Sequence, residues 1–163
     1  TIGNTSYSSY GDLGYGKNKT LYGAAHRASY NSNNPNPSLV CQNQNDKFTV
    51  ESKNGNGKLT YPVGLITLDE VVLAGFNTHD SNTSDYSDTT NYLYTKTSYW
   101  TFSPVTLDSV GTAYVGRVTG TVGLVNSDAV NGAHGVRPVV SLADGTLVNS
   151  NGDGTSTNPY VVK

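Results

Sequence analysis

The sequence predicts an α+β domain of mainly short antiparallel strands, with one or two short helices and long loops, and three observations carry that prediction. At 163 residues the chain has the length of one domain, 1–163. Its clearest helix signal, Thr67-Leu68-Asp69-Glu70, opens a segment of only about two turns. Elsewhere, short runs that alternate apolar and polar residues are separated by Asn-Gly, Gly-Asp and Asn-Pro steps, the pattern of strands and turns.

Residues 1–40 form a Tyr-, Asn- and Ser-rich N-terminal segment, with Tyr7, Tyr10, Tyr15, Tyr22 and Tyr30 at irregular spacings. Within it, SYNSNNPNPS (29–38) has two Asn-Pro steps and reads as a loop. From Lys47, KFTVES alternates as a half-buried strand does, and KNGNGK (53–58) holds two Asn-Gly dipeptides that favour positive φ and therefore a turn. Leu59 to Val63 reads as the returning strand, closed by Pro62.

Thr67 then caps the helix: its hydroxyl oxygen accepts from the Glu70 amide while the Glu70 side chain returns to the Thr67 amide. Leu68, Val71, Val72 and Ala74 supply an apolar face, and Gly75 stands at the C-terminal stop. Asn77 to Asn91 lacks apolar periodicity and reads as a long exposed loop. Tyr92 to Tyr94 and Tyr99 to Ser103 read as short aromatic strands. In the latter, Trp100 is expected to be buried, with Tyr99 either a ligand platform or part of the core. Thr112–Thr119 and Thr121–Asn126 alternate around Gly120 as a hairpin. GVRPVVSL (135–142) reads as a buried strand whose Pro138 requires an edge or a bulge. A Gly-Asp turn and a short strand over Tyr160–Val162 end the chain.

Composition excludes several function classes. Charged residues make up 13%, while Ser, Thr, Asn and Gly together number 73 and Tyr adds 12, so the chain is polar but barely charged. That aromatic content at low net charge argues against disorder. A net charge of −2, with the three Arg scattered at Arg27, Arg117 and Arg137, excludes a broad electrostatic grip on nucleic acid or anionic lipid. No apolar stretch approaches the ~18–20 residues of a membrane span. The absence of Met points to a processed product or fragment, and a single Cys, Cys41, permits neither an internal disulfide nor a cysteine metal cage. Together these features suggest an exported bacterial protein, extracellular at the cell surface.

Chemistry-bearing patterns are correspondingly sparse. No G-x-S-x-G elbow occurs, and His26, His79 and His134 lie in loop contexts. Asn149 to Gly154 echoes the first half of a Ca²⁺ loop, but Tyr160 stands where the bidentate Glu belongs, which favours a plain turn. His79 and Asp80 in the acidic loop offer only unspecific cation ligands. Asp69 and Glu70 are explained as helix-cap and dipole partners, and the glycines follow neither phosphate-loop nor dinucleotide spacing. The sequence therefore predicts no enzyme, no catalytic residue, no metal and no cofactor. Arg137, set among Val136, Pro138, Val139 and Val140, needs a carboxylate or carbonyls. Asp69 and Glu70 are its expected partners, tying the C-terminal sheet to the helix.

Three segments, YPVGLITLDEVVLAGF, NYLYTKTSYWTFSP and AYVGRV…GVRPVVSL…GDGTSTNPYVV, resemble an exported-domain family of Gram-positive bacteria, often the head of pilin-like or other surface proteins. Their order also resembles the C-type-lectin fold in its formylglycine-generating-enzyme-like branch, which the variable proteins of diversity-generating retroelements share. The resemblance spans about residues 41 to 162. It implies a compact C-type-lectin-like domain whose ligand face carries Gly116, Arg117, Thr119, Thr121, Asn126, Asp128, Asn131 and His134 as exposed positions. Oxidase activity is excluded by the lone Cys41, since that enzyme needs a cysteine pair holding copper. The disulfides and paired Ca²⁺ motifs of animal lectins are missing too.

The expected function is a non-enzymatic recognition or adhesion module with a polar Tyr/Asn/Thr-rich face, binding a host or cell-surface protein or glycan. The alternative is a structural subunit or head domain of a pilin-type filament or surface sheath, partnered by copies of itself. Thr67→Ala should remove the cap and lower stability by about 1 kcal/mol, read as a shift in thermal denaturation.

Overall fold

The computed structural model describes residues 2–3, 20–28, 35–41, 47, 49–51, 55, 59–76, 90–108, 111–121, 124–153, 155 and 157–163. The Asn-Gly turn at 53–58, the insertion at 77–89 with His79 and Asp80, and Tyr7, Tyr10, Tyr15 and Tyr30 lie wholly or largely outside them.

In chain order the described elements are β1 (Ile2–Gly3), β2 (Thr20–Tyr22), α1 (Gly23–Arg27), β3 (Val63–Leu65), α2 (Leu68–Leu73), β4 (Tyr99–Leu107), β5 (Ala113–Val118), β6 (Val125–Ala129) and β7 (Pro138–Val140). Five strands form one sheet in the order β1-β2-β4-β5-β6, and β3 pairs with β7 in a separate ribbon. Every ladder between these strands is antiparallel. The described residues thus form mostly short antiparallel strands in two sheets with few helical turns, a small α+β or mainly-β arrangement.

Strand β4 organises the rest, because period-2 alternation gives its two faces different tasks. Tyr99, Thr101, Ser103 and Val105 point inward and are buried, whereas Phe102 and Pro104 are exposed and Trp100 is half-buried. The expected placement of Trp100 in the core is therefore corrected: Tyr99 is the core residue, and Trp100 stands on the outer face. The Tyr99 hydroxyl donates to the Leu93 carbonyl at 2.8 Å, and burial pushes its phenol pKa up.

Both edges of β4 are occupied. One carries β5; on the other, the end of β4 pairs with β2 at Thr106 and Leu107. Nearer its start, the Trp100 amide donates to Gly135 O (3.0 Å), Gly135 donates to Ser98 O (2.8 Å) and Phe102 donates to Ile66 O (2.8 Å).

Helix α2 covers the inner face. Leu68, Val71 and the following Phe76 pack with Tyr99, Val105, Val118, Val125 and Leu93, joined by Ala25 and Ala28 at α1. The helix approaches β5 so closely that a Cβ on Gly116 would sit 2.7 Å from Leu68 Cδ2 and 2.8 Å from Thr101 Oγ1. Only glycine fits there.

The ends of α2 follow the sequence pattern. The Glu70 amide donates to Thr67 Oγ1 (3.2 Å), and the Thr67 amide and hydroxyl both donate to Glu70 Oε2 (2.7 and 2.8 Å). The Leu68 amide, an orphan donor of the first turn, reaches Ser103 Oγ at 3.0 Å. At the other end, Phe76 N–H bonds Val71 O and Gly75 N–H bonds Val72 O, with Gly75 at φ +88°. This is a Schellman closure, and its apolar pair, Val71 and Phe76, is buried in the core.

Arg137 does not reach the helix. Its Nη1 donates to the Leu93 carbonyl (3.2 Å), and the guanidinium lies over the Tyr99 ring, 5.6 Å from the centroid. The arginine that binds α2 is Arg27 of α1, which grips Asp69 with Nε (2.7 Å) and Nη2 (2.8 Å). The reason is geometric: the inner side of β7 leads to the β4 start and Leu93, whereas α1 lies beside α2.

Further expectations are corrected. Val136 and Val140 are exposed, so β7 is not a buried strand. Pro138 does sit in a two-stranded ribbon, where its missing N–H is tolerated. Tyr92–Tyr94 lies in a turn, ordered by Asn91 Oδ1 accepting from Leu93 N–H (2.9 Å), not in a strand. Residues 60–62 bend, and the strand starts at Val63, although Leu59 N–H still bonds Thr49 O (2.9 Å) across the expected turn. The hairpin partner of β5 starts at Val125 rather than Thr121. Tyr160–Val162 contributes only a bridge between Val162 and Val148. Asp153 Oδ1 accepts from the Thr155 amide and hydroxyl, an Asx-type turn in keeping with the plain-turn reading.

Arg27→Ala strands a carboxylate that is 6% exposed, but Arg27 is itself 40% exposed. The expected loss is therefore about 2 kcal/mol, below that of a fully buried pair. Arg137→Ala loses one carbonyl bond and a ring contact and should cost about 1 kcal/mol. Denaturant melts of the two variants should rank them in that order.

Candidate functional site

The outer face of β4, β5 and β6 gathers Trp100, Arg117, Asn126 and Asp128. Trp100 is the register partner of Arg117, and Arg117 of Asn126, so these three residues form one row across three strands. One step along the same face, Asp128 stands opposite Val115. Exposed Phe102 follows Trp100 on the outer side of β4.

His134, from the loop between β6 and β7, completes the cluster. Its Nε2 lies 2.8 Å from Asp128 Oδ2, and its ring meets the Trp100 ring edge-on at 4.6 Å. A carboxylate can only accept, so Nε2 carries the hydrogen. Arg117 Nη1 donates to Ser98 Oγ (3.1 Å), and the same hydroxyl oxygen accepts from the Gly120 amide (3.0 Å). Arg117 Nε sits 3.7 Å from Asp128 Oδ2, an ion pair too long for a hydrogen bond, and is buried without a hydrogen-bond partner. His134 and Arg117 are 14% and 21% exposed, so both are held by the fold.

Strand β6 is an edge, yet its outward amides are engaged. Val130 N–H points to β5, bonding Ala113 O. The amides of Ser127 and Ala129 face the other way and donate to Asn126 Oδ1 (2.7 Å) and Asp128 Oδ1 (2.8 Å). Asn126 is thereby left with its carboxamide N–H groups for solvent or ligand.

Four of the eight expected face residues meet here: Arg117, Asn126, Asp128 and His134. Two are corrected. Gly116 lies on the inner face beneath Leu68, and Thr119 is buried, its Oγ1 accepting from Leu124 N–H (3.0 Å) to close the hairpin. Thr121, in the β5–β6 turn, and Asn131, after β6, are exposed. Two contributors were missed, Trp100 and Ser98. The alternation of SYWTF held the signal, since burying Tyr99 and Thr101 forces Trp100 outward.

Among the described residues no group of three or more His, Cys, Asp or Glu could hold a metal ion, and no helix is long and apolar enough to cross a membrane. What the cluster offers is an aromatic surface, exposed amide donors and a carboxylate set between Arg117 and His134. Compared with protein-family models, curated proteins and solved structures, the chain matches none.

The His134 hydrogen bond, the Ala129 amide and nearby Arg117 hold the Asp128 carboxyl below its ordinary value of 3.8. A carboxyl depressed in the folded state adds stability that is present above its unfolded pKa and lost as pH falls through the folded one. Asp128→Asn should therefore flatten the acid side of the stability curve below the ordinary carboxylate range. Urea melts of both proteins at descending pH would register this as converging midpoints.

Proposed function

We propose that this chain is a non-enzymatic, exported recognition module of C-type-lectin-like type, displayed at the bacterial cell surface, with the outer face of β4–β6 as its binding face. The observation that supports this reading is the row of Trp100, Arg117 and Asn126, with Trp100 half-exposed on a strand whose opposite face is fully buried. A half-exposed indole beside adaptable amides and a held ion pair provides large contact area at low ordering cost.

The expected ligand is a host or cell-surface protein or glycan. A filament subunit is the other reading, but growth by strand addition at β6 is opposed by the engaged amides of Ser127 and Ala129.

Trp100 is the sole tryptophan, so its emission reports directly on this face. A glycan array and a host-surface protein screen should yield a ligand that shifts Trp100 fluorescence on titration. Asn126→Ala should weaken that ligand by about tenfold, the loss of a good hydrogen bond, with stability lowered only slightly by the loss of its exposed bond to the Ser127 amide. Blank screens with folded protein, or binding indifferent to both Trp100→Ala and Asn126→Ala, would reject the assignment.

A further inference from the structure

Of the ionisable residues gathered on the outer face, Arg117, Asp128 and His134, only histidine is a residue type that changes charge between about pH 5 and 8. Its position is fixed by the backbone beside it. The Gly135 amide donates to Ser98 O (2.8 Å), and the Gly135 carbonyl accepts from the Trp100 amide (3.0 Å). At the other side of the loop Gly132 N–H bonds Ala129 O (2.8 Å). The imidazole is thereby clamped between β6 and β4, with Nε2 on Asp128 and the ring edge-on to Trp100.

The charges around it are few. Asp128 faces it from β6 at 2.8 Å, and Arg117 of β5 lies 3.7 Å from the same carboxylate oxygen. The β4 side supplies the uncharged Ser98 and Trp100, and the loop over 130–136 holds no other charged residue. Lys96, before β4, is exposed and makes no ion pair with the cluster among the described residues. A guanidinium stays protonated, and the Asp128 carboxyl, held below its ordinary value, stays ionised. With His134 neutral, one cation therefore meets one anion. Protonation sets two cations on one carboxylate.

The same proton inverts a hydrogen-bonding atom. Asp128 keeps the hydrogen of the neutral ring on Nε2, so Nδ1 carries a lone pair. Among the described residues no group donates to it. In the imidazolium, Nδ1 becomes a donor.

We infer, on the reading of this face as a binding face, that His134 is its proton switch: an uncharged ligand is held while the imidazole is neutral and released when the ring is protonated. A ligand that covers the cluster takes it out of water. A balanced pair tolerates this better than a cluster with surplus charge, whose desolvation nothing offsets. The Nδ1 acceptor is lost in the same step. Proton and ligand then weaken each other reciprocally, by a coupling that typically spans roughly 5- to 150-fold.

Trp100 reports the switch with no ligand present, because an imidazolium quenches an adjacent indole more strongly than a neutral imidazole does. Emission of the whole chain should fall in one step between about pH 8 and 5, with the same midpoint as the His134 ring resonances in NMR. His134→Gln keeps a donor for Asp128 but cannot titrate, and should lack the step. On the glycan array and the host-surface protein screen, half-saturation should need about tenfold more labelled protein at about pH 5.5 than at about pH 7.5. His134→Gln should bind alike at both. An emission step that His134→Gln retains, a midpoint that departs from the ring resonances, or binding that is unchanged or tighter in acid would overturn the inference and leave the binding face standing. Blank screens at both pH values remove the binding face, and the inference with it, even where the emission step is intact. Should His134→Gln not fold, the wild-type resonances still decide whether the step belongs to His134.

Discussion

A carboxylate taken out of water must have its charge answered, and Asp69 is the residue on which this fold depends most. The residue is 4% exposed, and its two oxygens accept from Arg27 Nε and Nη2 and from the Ser38 amide (2.8 Å). Three chain segments distant in sequence are thereby brought together at one side chain: α1, the end of the Asn-Pro loop at Ser38, and α2. Burying Asp69 unpaired would cost several kcal/mol, so these segments are held in register together or not at all. With α2 held, Leu68 seats against Gly116 and the inner face of β4–β5 is closed.

Closing that face determines the other. Tyr99, Thr101 and Val118 turn inward because α2 and Phe76 cover them, so Trp100 and Arg117 must turn out. The candidate site is the necessary reverse side of the core. Arg117 and His134 are nonetheless restrained, through Ser98 and Asp128, so the polar groups are fixed before any ligand arrives. Such preorganisation lowers the ordering cost of binding.

Local chemistry was legible in the sequence wherever it is complete within a few residues. The Thr67–Glu70 box and the Gly75 stop are such cases, as is the turn at Asp153. The β5–β6 hairpin was legible in kind but displaced by several residues, because Thr121 obeys the alternation yet lies in the turn that Thr119 and Leu124 close. Partners across the chain were not legible. Two arginines could answer Asp69, and sequence spacing favoured Arg137, since nothing local reveals that α1 lies beside α2 or that Tyr99 and Leu93 receive Arg137. The same limit explains Trp100: the alternation shows that Tyr99 and Trp100 face opposite ways, but only the position of α2 decides which way is in. Gly116 failed as an exposed residue for that reason too, whereas Thr119 is buried because it closes the hairpin with Leu124.

One small contact has a wider consequence. Asn91 Nδ2 donates to the Ala74 carbonyl at 2.8 Å, at the end of α2 where Gly75 reverses the chain. The residues that leave the helix and those that return are thus clasped together by a hydrogen bond beside the core, whatever length of chain runs between them. Closing a loop costs only about 0.6 kcal/mol more for each doubling of its length. The two ends of the 77–89 stretch are thus joined at a cost that depends only weakly on how many residues lie between them.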